Sequence, residues 1–180
     1  AVRCFHREPD DIERRYSYIV PVVRALKLDG VQWCQFRRKG VYAGGTWNPA
    51  VLMPWVPGVP INDALKQDLS TARVRGIRSG FRALVADLEA AGISHGDLQH
   101  GNLLVDELNV VRIVDYDAMH VPGMPVYPSI AGHPNFRHPT KPAVVGDRAD
   151  RFSAMLIDLA LHALEVMPGL WAQFDTGENL

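Results

Sequence analysis

The stretch Ile93-Ser-His-Gly-Asp-Leu-Gln-His-Gly-Asn-Leu-Leu-Val105, followed by Ile113-Val-Asp-Tyr-Asp-Ala118, decides the reading of this chain. The first piece places Asp97 and Asn102 in one loop, with an apolar strand at Leu103 to Val105 directly after. The second places Asp115 at the end of another apolar strand. Asp106-Glu-Leu-Asn109 lies between the two strands as a turn, which predicts a hairpin. At the open end of that hairpin Asn102 and Asp115 are neighbours, and Asp97 can converge on them. Two carboxylates and an amide oxygen form the base-and-ligand set that phosphoryl transfer from Mg-ATP requires.

On these residues the chain resembles the protein kinase superfamily. His95-Gly96-Asp97-Leu98 with Asn102 is similar to the catalytic loop H-x-D-L-x-x-x-N, and Asp115-Tyr116-Asp117 stands where kinases carry D-F-G. The resemblance implies that Asp97 orients the acceptor hydroxyl and takes its proton. It also implies that Asn102 and Asp115 hold Mg²⁺ on the nucleotide phosphates, and that His95 is structural. The nearest likeness is to bacterial kinase-domain proteins of the Ser/Thr type. Gly96 replaces an Arg that in many protein kinases binds an activation-loop phosphate, so activation by phosphorylation of that loop is not expected. Tyr116 replaces Phe, and its hydroxyl needs a partner if buried. Asp117 replaces Gly and is read as a turn residue.

Working outward, Ala1-Val-Arg-Cys-Phe5 reads as a strand and resembles the kinase strand V-A-I-K, with Arg3 in the lysine position. Arg keeps the charge but is planar and bulkier, so the departure bears on rate more than on nucleotide binding. Asp10 or Asp11 caps a helix running through Ile12, Tyr16, Ile19 and Val20, which Pro21 is expected to kink or end. Glu13, with Glu8 as the alternative, is the candidate carboxylate to pair with Arg3. Val31 to Phe36 alternates as a strand, Arg37-Arg-Lys-Gly40 reads as an exposed basic turn, and Val41 to Ala43 as the return strand.

Val51-Leu-Met-Pro-Trp-Val-Pro-Gly58 resembles the kinase segment L-V-M-E-Y-V-x-G between the two lobes. The likeness makes Met53 the gatekeeper, with the Pro54 carbonyl and the Val56 N–H facing adenine. Proline still offers its carbonyl, and that is all the position must supply.

Asn62 to Leu69 reads as a short polar helix or loop. Ser70 or Thr71 caps a helix whose core face is Val74, Ile77, Phe81, Leu84, Val85 and Leu88, with Gly92 as its stop. Arg73, Arg75, Arg78 and Arg82 are read as its solvated face. Met119 to Ala131 is an irregular activation-type segment in which Tyr127 and Ser129 are read as plain loop polarity. Gly132-His-Pro-Asn-Phe-Arg-His-Pro139 resembles the kinase G-T-x-x-Y-x-A-P stretch on the acceptor side. His133 and His138 have no Cys or carboxylate at metal spacing. Asp147-Arg-Ala-Asp150-Arg-Phe-Ser153 resembles D-x-W-S, which implies that Asp150 caps a central helix and binds the His95–Gly96 turn. That helix, Phe152 to Val166, is apolar on nearly all sides and is expected to be buried, with Trp171 and Phe174 as packing anchors.

The 180 residues are 47% hydrophobic and 22% charged, enough for a sizeable core. A net charge of -1 gives no whole-chain argument for nucleic acid or membrane. Cys4 and Cys34 lack metal-type spacing and read as reduced cytoplasmic thiols, and no apolar run is long enough to span a bilayer. The expectation is therefore an α+β, protein kinase-like fold. Residues 1–58 form part of a small β-rich N-lobe with its helix and hinge, and residues 59–180 part of a mainly helical C-lobe. No glycine-rich phosphate loop precedes Arg3, so the chain reads as truncated at both ends.

ATP and Mg²⁺ are the implied cofactors, and a protein Ser/Thr hydroxyl the implied acceptor. Two alternatives accompany that reading. His95 to Leu104 also resembles H-G-D-L-x-x-G-N of aminoglycoside and choline kinases, against which Gly132–Pro139 and Asp150–Ser153 weigh. Arg3 and Asp117 also fit an ATP-binding pseudokinase scaffold.

Overall fold

A computed structural model describes residues 1–5, 11–127, 132–140 and 145–174. The chain begins with strand β1 (Val2–Cys4) and helix α1 (Ile12–Ala25), then strands β2 (Gln35–Ala43) and β3 (Thr46–Leu52). β3 lies between β1 and β2, antiparallel to both, with Arg3 opposite Val51. α1 buries Ile12, Tyr16, Ile19 and Val23, one stripe at helical spacing, and Tyr16 stacks on Phe36 of β2 at 5.7 Å.

Two local expectations are corrected here. Pro21 does not end α1, which runs on to Ala25. Pro21 sits on the exposed face, so the lost backbone bond falls toward water while Ile19 and Val23 keep the helix packed. Arg37 to Gly40 is not a turn but part of β2, with a shift of register between Arg37 and Val41. The reversal comes at Gly44-Gly45, both at positive φ, the backbone that a two-residue hairpin turn requires. The return strand is therefore β3 rather than Val41 to Ala43. Val31 separates from β2 and bridges to Ile113 instead.

After β3 come strand β4 (Val59–Pro60), helix α2 (Ile61–Gln67) and helix α3 (Thr71–Ala90). Ser70 caps α3, its side chain accepting from the Arg73 N–H at 3.3 Å. Strands β5 (Leu103–Val105) and β6 (Val111–Ile113) form the expected hairpin, with β4 on the other edge of β5. Leu103 pairs with Ile113 and Val105 with Val111, so the apolar residues of both strands enter the core on the same face as Ile77 and Phe81 of α3. Helix α4 (Arg151–Val166) packs along α3, and α5 (Leu170–Phe174) ends the described chain.

The α3 and α4 faces differ from expectation in a linked way. Arg78, largely covered, grips Asp158 of α4 at 2.9 and 3.2 Å, and Arg75, still exposed as expected, reaches Glu165 at 2.7 Å, so both join the two helices. The pair holds the Asp158 carboxyl below its usual range, chiefly through the Arg78 hydrogen bond. α4 is not buried all round. Ile157, Leu161 and Leu164 are in the core, while Met155, Leu159 and Val166 are 58%, 59% and 65% exposed. Composition alone cannot report that α3 covers one side only. Trp171 packs on the core, but Phe174 is 67% exposed and anchors nothing. Among the described residues no helix is long and apolar enough to cross a membrane.

Candidate active site

The loop after α3 is clamped from three directions. Asp150 receives the N–H groups of His95 and Gly96, the latter at 2.8 Å. Burial pushes the Asp150 carboxyl above its usual range, and those two N–H groups act against that rise. Asp150 stands at the N-terminal flank of α4 without capping it, because its side chain is spent on the loop. His95 is fully buried, with its Nε2 2.9 Å from the Val114 carbonyl, and Ser94 exchanges backbone bonds with His120. Gly96 adopts φ +77, and a Cβ there would lie 2.2 Å from the Ala118 carbonyl oxygen. No side chain fits that approach, which gives the physical reason for glycine where many kinases carry Arg.

This clamped loop presents Asp97 with every position around its carboxylate defined. Oδ1 accepts from the His133 N–H at 2.6 Å, and Oδ2 from Gln99 Nε2 and Asn102 Nδ2, both at 3.1 Å. Asn102 Nδ2 also donates to the Asp97 carbonyl at 2.9 Å, which leaves the amide oxygen as its remaining polar atom. The Asn102 carbonyl accepts from the Val114 N–H at 3.0 Å. The hairpin thus brings Asn102 against the Val114 N–H, one residue from the second carboxylate.

Asp115 holds a left-handed backbone, φ 67 and ψ 74, uncommon for a residue with a side chain. Its Oδ1 is buried with no hydrogen-bond partner among the described residues, and its Oδ2 meets Arg3 Nη1. The second arm of Arg3 reaches Asp117 Oδ2 at 2.8 Å, and Asp117 Oδ1 accepts from the Tyr16 hydroxyl at 2.7 Å. Burial works against the Arg3 charge, but the Asp115 hydrogen bond and the charges of Asp117 and Asp115 outweigh it and raise its pKa. Asp117 is pushed up by burial and by Asp115, with Tyr16 and Arg3 opposing. The buried Tyr116 hydroxyl has its partner in Gln32, accepting from the N–H at 2.9 Å and donating to the carbonyl at 3.1 Å.

The expected pairing of Glu13 with Arg3 is corrected. Glu13 bonds Arg38 on β2, and Arg3 forks across Asp115 and Asp117. α1 turns its Tyr16 and Arg15 toward the metal-type loop and keeps Glu13 on its outer side, so no α1 carboxylate is available to β1. Arg15, buried, reaches the Met119 carbonyl at 3.4 Å and stacks over Tyr127 at 5.4 Å. The alternative, Glu8, and the site Ser129 lie outside the described residues. Tyr16 and Asp117 were missed as site residues. The signal was present: Tyr16 follows Ile12 by one turn on the buried face, and a buried tyrosine hydroxyl needs a partner. His100 is half-buried against Phe136, ring centroids 5.5 Å apart.

The hinge segment joins the same group of residues at both ends. Before it, β3 pairs with β1, whose Arg3 holds Asp115; after it, Val59 pairs with Val105 at the end of the strand that Asn102 opens. Met53 exchanges backbone bonds with Ala1, its N–H donating at 3.1 Å. The Pro54 carbonyl and the Val56 N–H have no hydrogen-bond partner among the described residues. No group of three His, Cys, Asp or Glu side chains stands at metal-holding distance among the described residues. Any divalent cation here would rest on Asp115 and an amide oxygen, completed by phosphate and water, as Mg²⁺ tolerates.

Compared with known families, residues 40–123 match the family model of the ABC1 atypical kinase-like domain. The matched span contains Met53 to Val56, Asp97, Asn102 and Asp115, and leaves Arg3, Glu13 and Asp150 outside it. No curated protein matches the chain.

Proposed function

Starting from that kinase-like match, we propose that the chain is an ATP-dependent phosphotransferase of the protein-kinase type, acting on a Ser/Thr hydroxyl of a protein. The observation that carries this reading is the hydrogen-bonded unit of Asp97, Asn102 and the Val114 N–H, with one oxygen of the next residue, Asp115, buried and without a hydrogen-bond partner among the described residues. The unpartnered Asp115 oxygen supports a cation site, because a buried acceptor left unpaired costs free energy even though Arg3 meets the other oxygen of that carboxylate. On this reading Asp115 and Asn102 hold Mg²⁺, which neutralises phosphate charge when bound. The Pro54 carbonyl and Val56 N–H take the adenine edge below Met53, and Arg3 turns from Asp115 toward the α- and β-phosphates. Residues 1–58 and 59–180 act as the two lobes about this hinge, in a cytoplasmic setting consistent with unpaired Cys4 and Cys34.

In the transfer step the acceptor oxygen forms a bond to the γ-phosphorus while the bond from that phosphorus to the β–γ bridging oxygen breaks and ADP leaves. Asp97 Oδ2 receives the hydroxyl proton. His133, Gln99 and Asn102 fix the carboxylate so that one geometry serves the transition state.

Arg3 lying across Asp115 and Asp117 supports a second reading, a nucleotide-binding pseudokinase. Labelled γ-phosphate supplied as Mg-ATP to a panel of protein and small-alcohol acceptors tests both. Label is expected on protein Ser or Thr. Label on small alcohols alone would move the chain to the small-molecule kinases, and nucleotide binding without any transfer would favour the pseudokinase.

A further inference from the structure

A cleft of about 390 Å³ opens beside Asp97, between the Gly132–His138 segment and the start of α4. Arg137, Arg148 and Arg151 stand on its walls, with Phe136 and Phe152 as apolar surface. Among the described residues no carboxylate pairs with any of the three guanidiniums; Arg137 Nε is spent only on the Gly132 carbonyl. The acids nearby, Asp97, Asp147 and Asp150, form no ion pair with them among the described residues. Asp97 accepts from His133, Gln99 and Asn102, and Asp150 from the His95 and Gly96 N–H groups.

Around the candidate base, three arginines thus stand without an ion-pair partner among the described residues, and only hydrogen bonding of Arg137 to the Gly132 carbonyl is shown for their side chains. The arginines at 75 and 78 show the contrast, since the fold does pair those. We propose that this cleft is the acceptor groove and that it selects a hydroxyl flanked by negative charge on an acidic peptide segment. The choice of a peptide follows from shape. The cleft is open, and Arg148 and Arg151 are exposed, so a strand of chain can lie across it with its hydroxyl at Asp97 and its acids on the arginines. Planar guanidiniums suit carboxylates through paired N–H donors.

The inference rests on the phosphotransferase reading, and the test separates the two. Fluorescent Ser/Thr peptides with Asp flanks, and isosteric Asn partners, are titrated into the whole protein without nucleotide and followed by anisotropy. The acidic peptide is expected to bind about ten-fold more tightly than its partner, an advantage that falls to near unity in Arg148→Gln/Arg151→Gln and largely survives in Arg148→Lys/Arg151→Lys. Both side chains are exposed, so a melting curve matching that of the parent is expected for each variant.

Equal affinity for the two peptides, or an advantage untouched by the Gln variant, overturns the proposal. So does competition by free phosphoserine stronger than by the acidic peptide, which would make the groove a small-molecule site. Acid-selective binding with no transfer from Mg-ATP would sink the phosphotransferase reading, and with it the acceptor role of the cleft. Transfer to Asn-flanked peptides at the same kcat/KM as to acidic ones would sink the groove's selectivity and leave the phosphotransferase reading standing.

Discussion

Asp97→Asn is expected to lower kcat for phosphoryl transfer by about a thousand-fold, or roughly 4 kcal/mol of barrier, while Mg-ATP still raises the melting temperature. The reasoning is geometric. The Asn oxygen can keep the His133 N–H bond made at 2.6 Å, so the loop stays in place. Its amide nitrogen now faces Gln99 Nε2 and Asn102 Nδ2, two donors that had an acceptor there, at a cost of about 1 kcal/mol in stability. What disappears is the only group at that point able to take a proton from the acceptor. On the proposed reading, nucleotide grip lies with Asp115 and the hinge, which this substitution leaves alone. Single-turnover kinetics beside a melting curve separates the two effects. A variant within ten-fold of the parent would remove Asp97 from the chemistry.

The second large effect is structural. Gly96→Ala should reduce the unfolding free energy by about 3 kcal/mol, from about 1–2 for the left-handed backbone and a similar amount for overlap with the Ala118 carbonyl. That carbonyl is backbone, 2.2 Å from the added Cβ, and cannot rotate away as a flexible side chain would. Any relief must move the loop that also carries the Asp150 bonds and Asp97, so activity should fall with stability. Gly44→Ala serves as the control. It shares a positive φ of 60 but has nothing within 4 Å, so urea titration should show about 1 kcal/mol there. Similar losses at both positions would mean that the close approach to Ala118 is not real.

Much of the fold was legible because its signals are local. The β5–β6 hairpin follows from two apolar triplets around Asp106 to Asn109, and α3 from a strong stripe begun by Ser70. The nearness of Asn102 to residue 115 is a consequence of hairpin register alone. What was not legible depends on which faces meet. The stripe through Ile12 and Tyr16 already turns Tyr16 inward, but only packing decides that its hydroxyl meets Asp117 and that Glu13 meets Arg38 on β2. Arg78 read as solvated because the sequence of α3 cannot show Asp158 and Glu165 arriving from α4 to cover it. The run Arg37 to Gly40 looked like a turn on composition, yet the adjacent glycines at 44 and 45 compete better for the reversal. Met155 and Leu159 read as core because apolar composition does not say how many neighbours a helix has.

Everything proposed for this chain depends on Asp115 and Asn102 meeting the phosphates of a nucleotide held by the Pro54–Val56 backbone. Thermal unfolding with and without Mg-ATP, in the parent and in Asp115→Ala, tests that dependence most directly. At about one hundred times Kd, Mg-ATP should stabilise the parent by about 2.7 kcal/mol, a rise of roughly 5–10 °C, and should leave Asp115→Ala unshifted. An unshifted parent, or an equal shift in Asp115→Ala, would contradict the account.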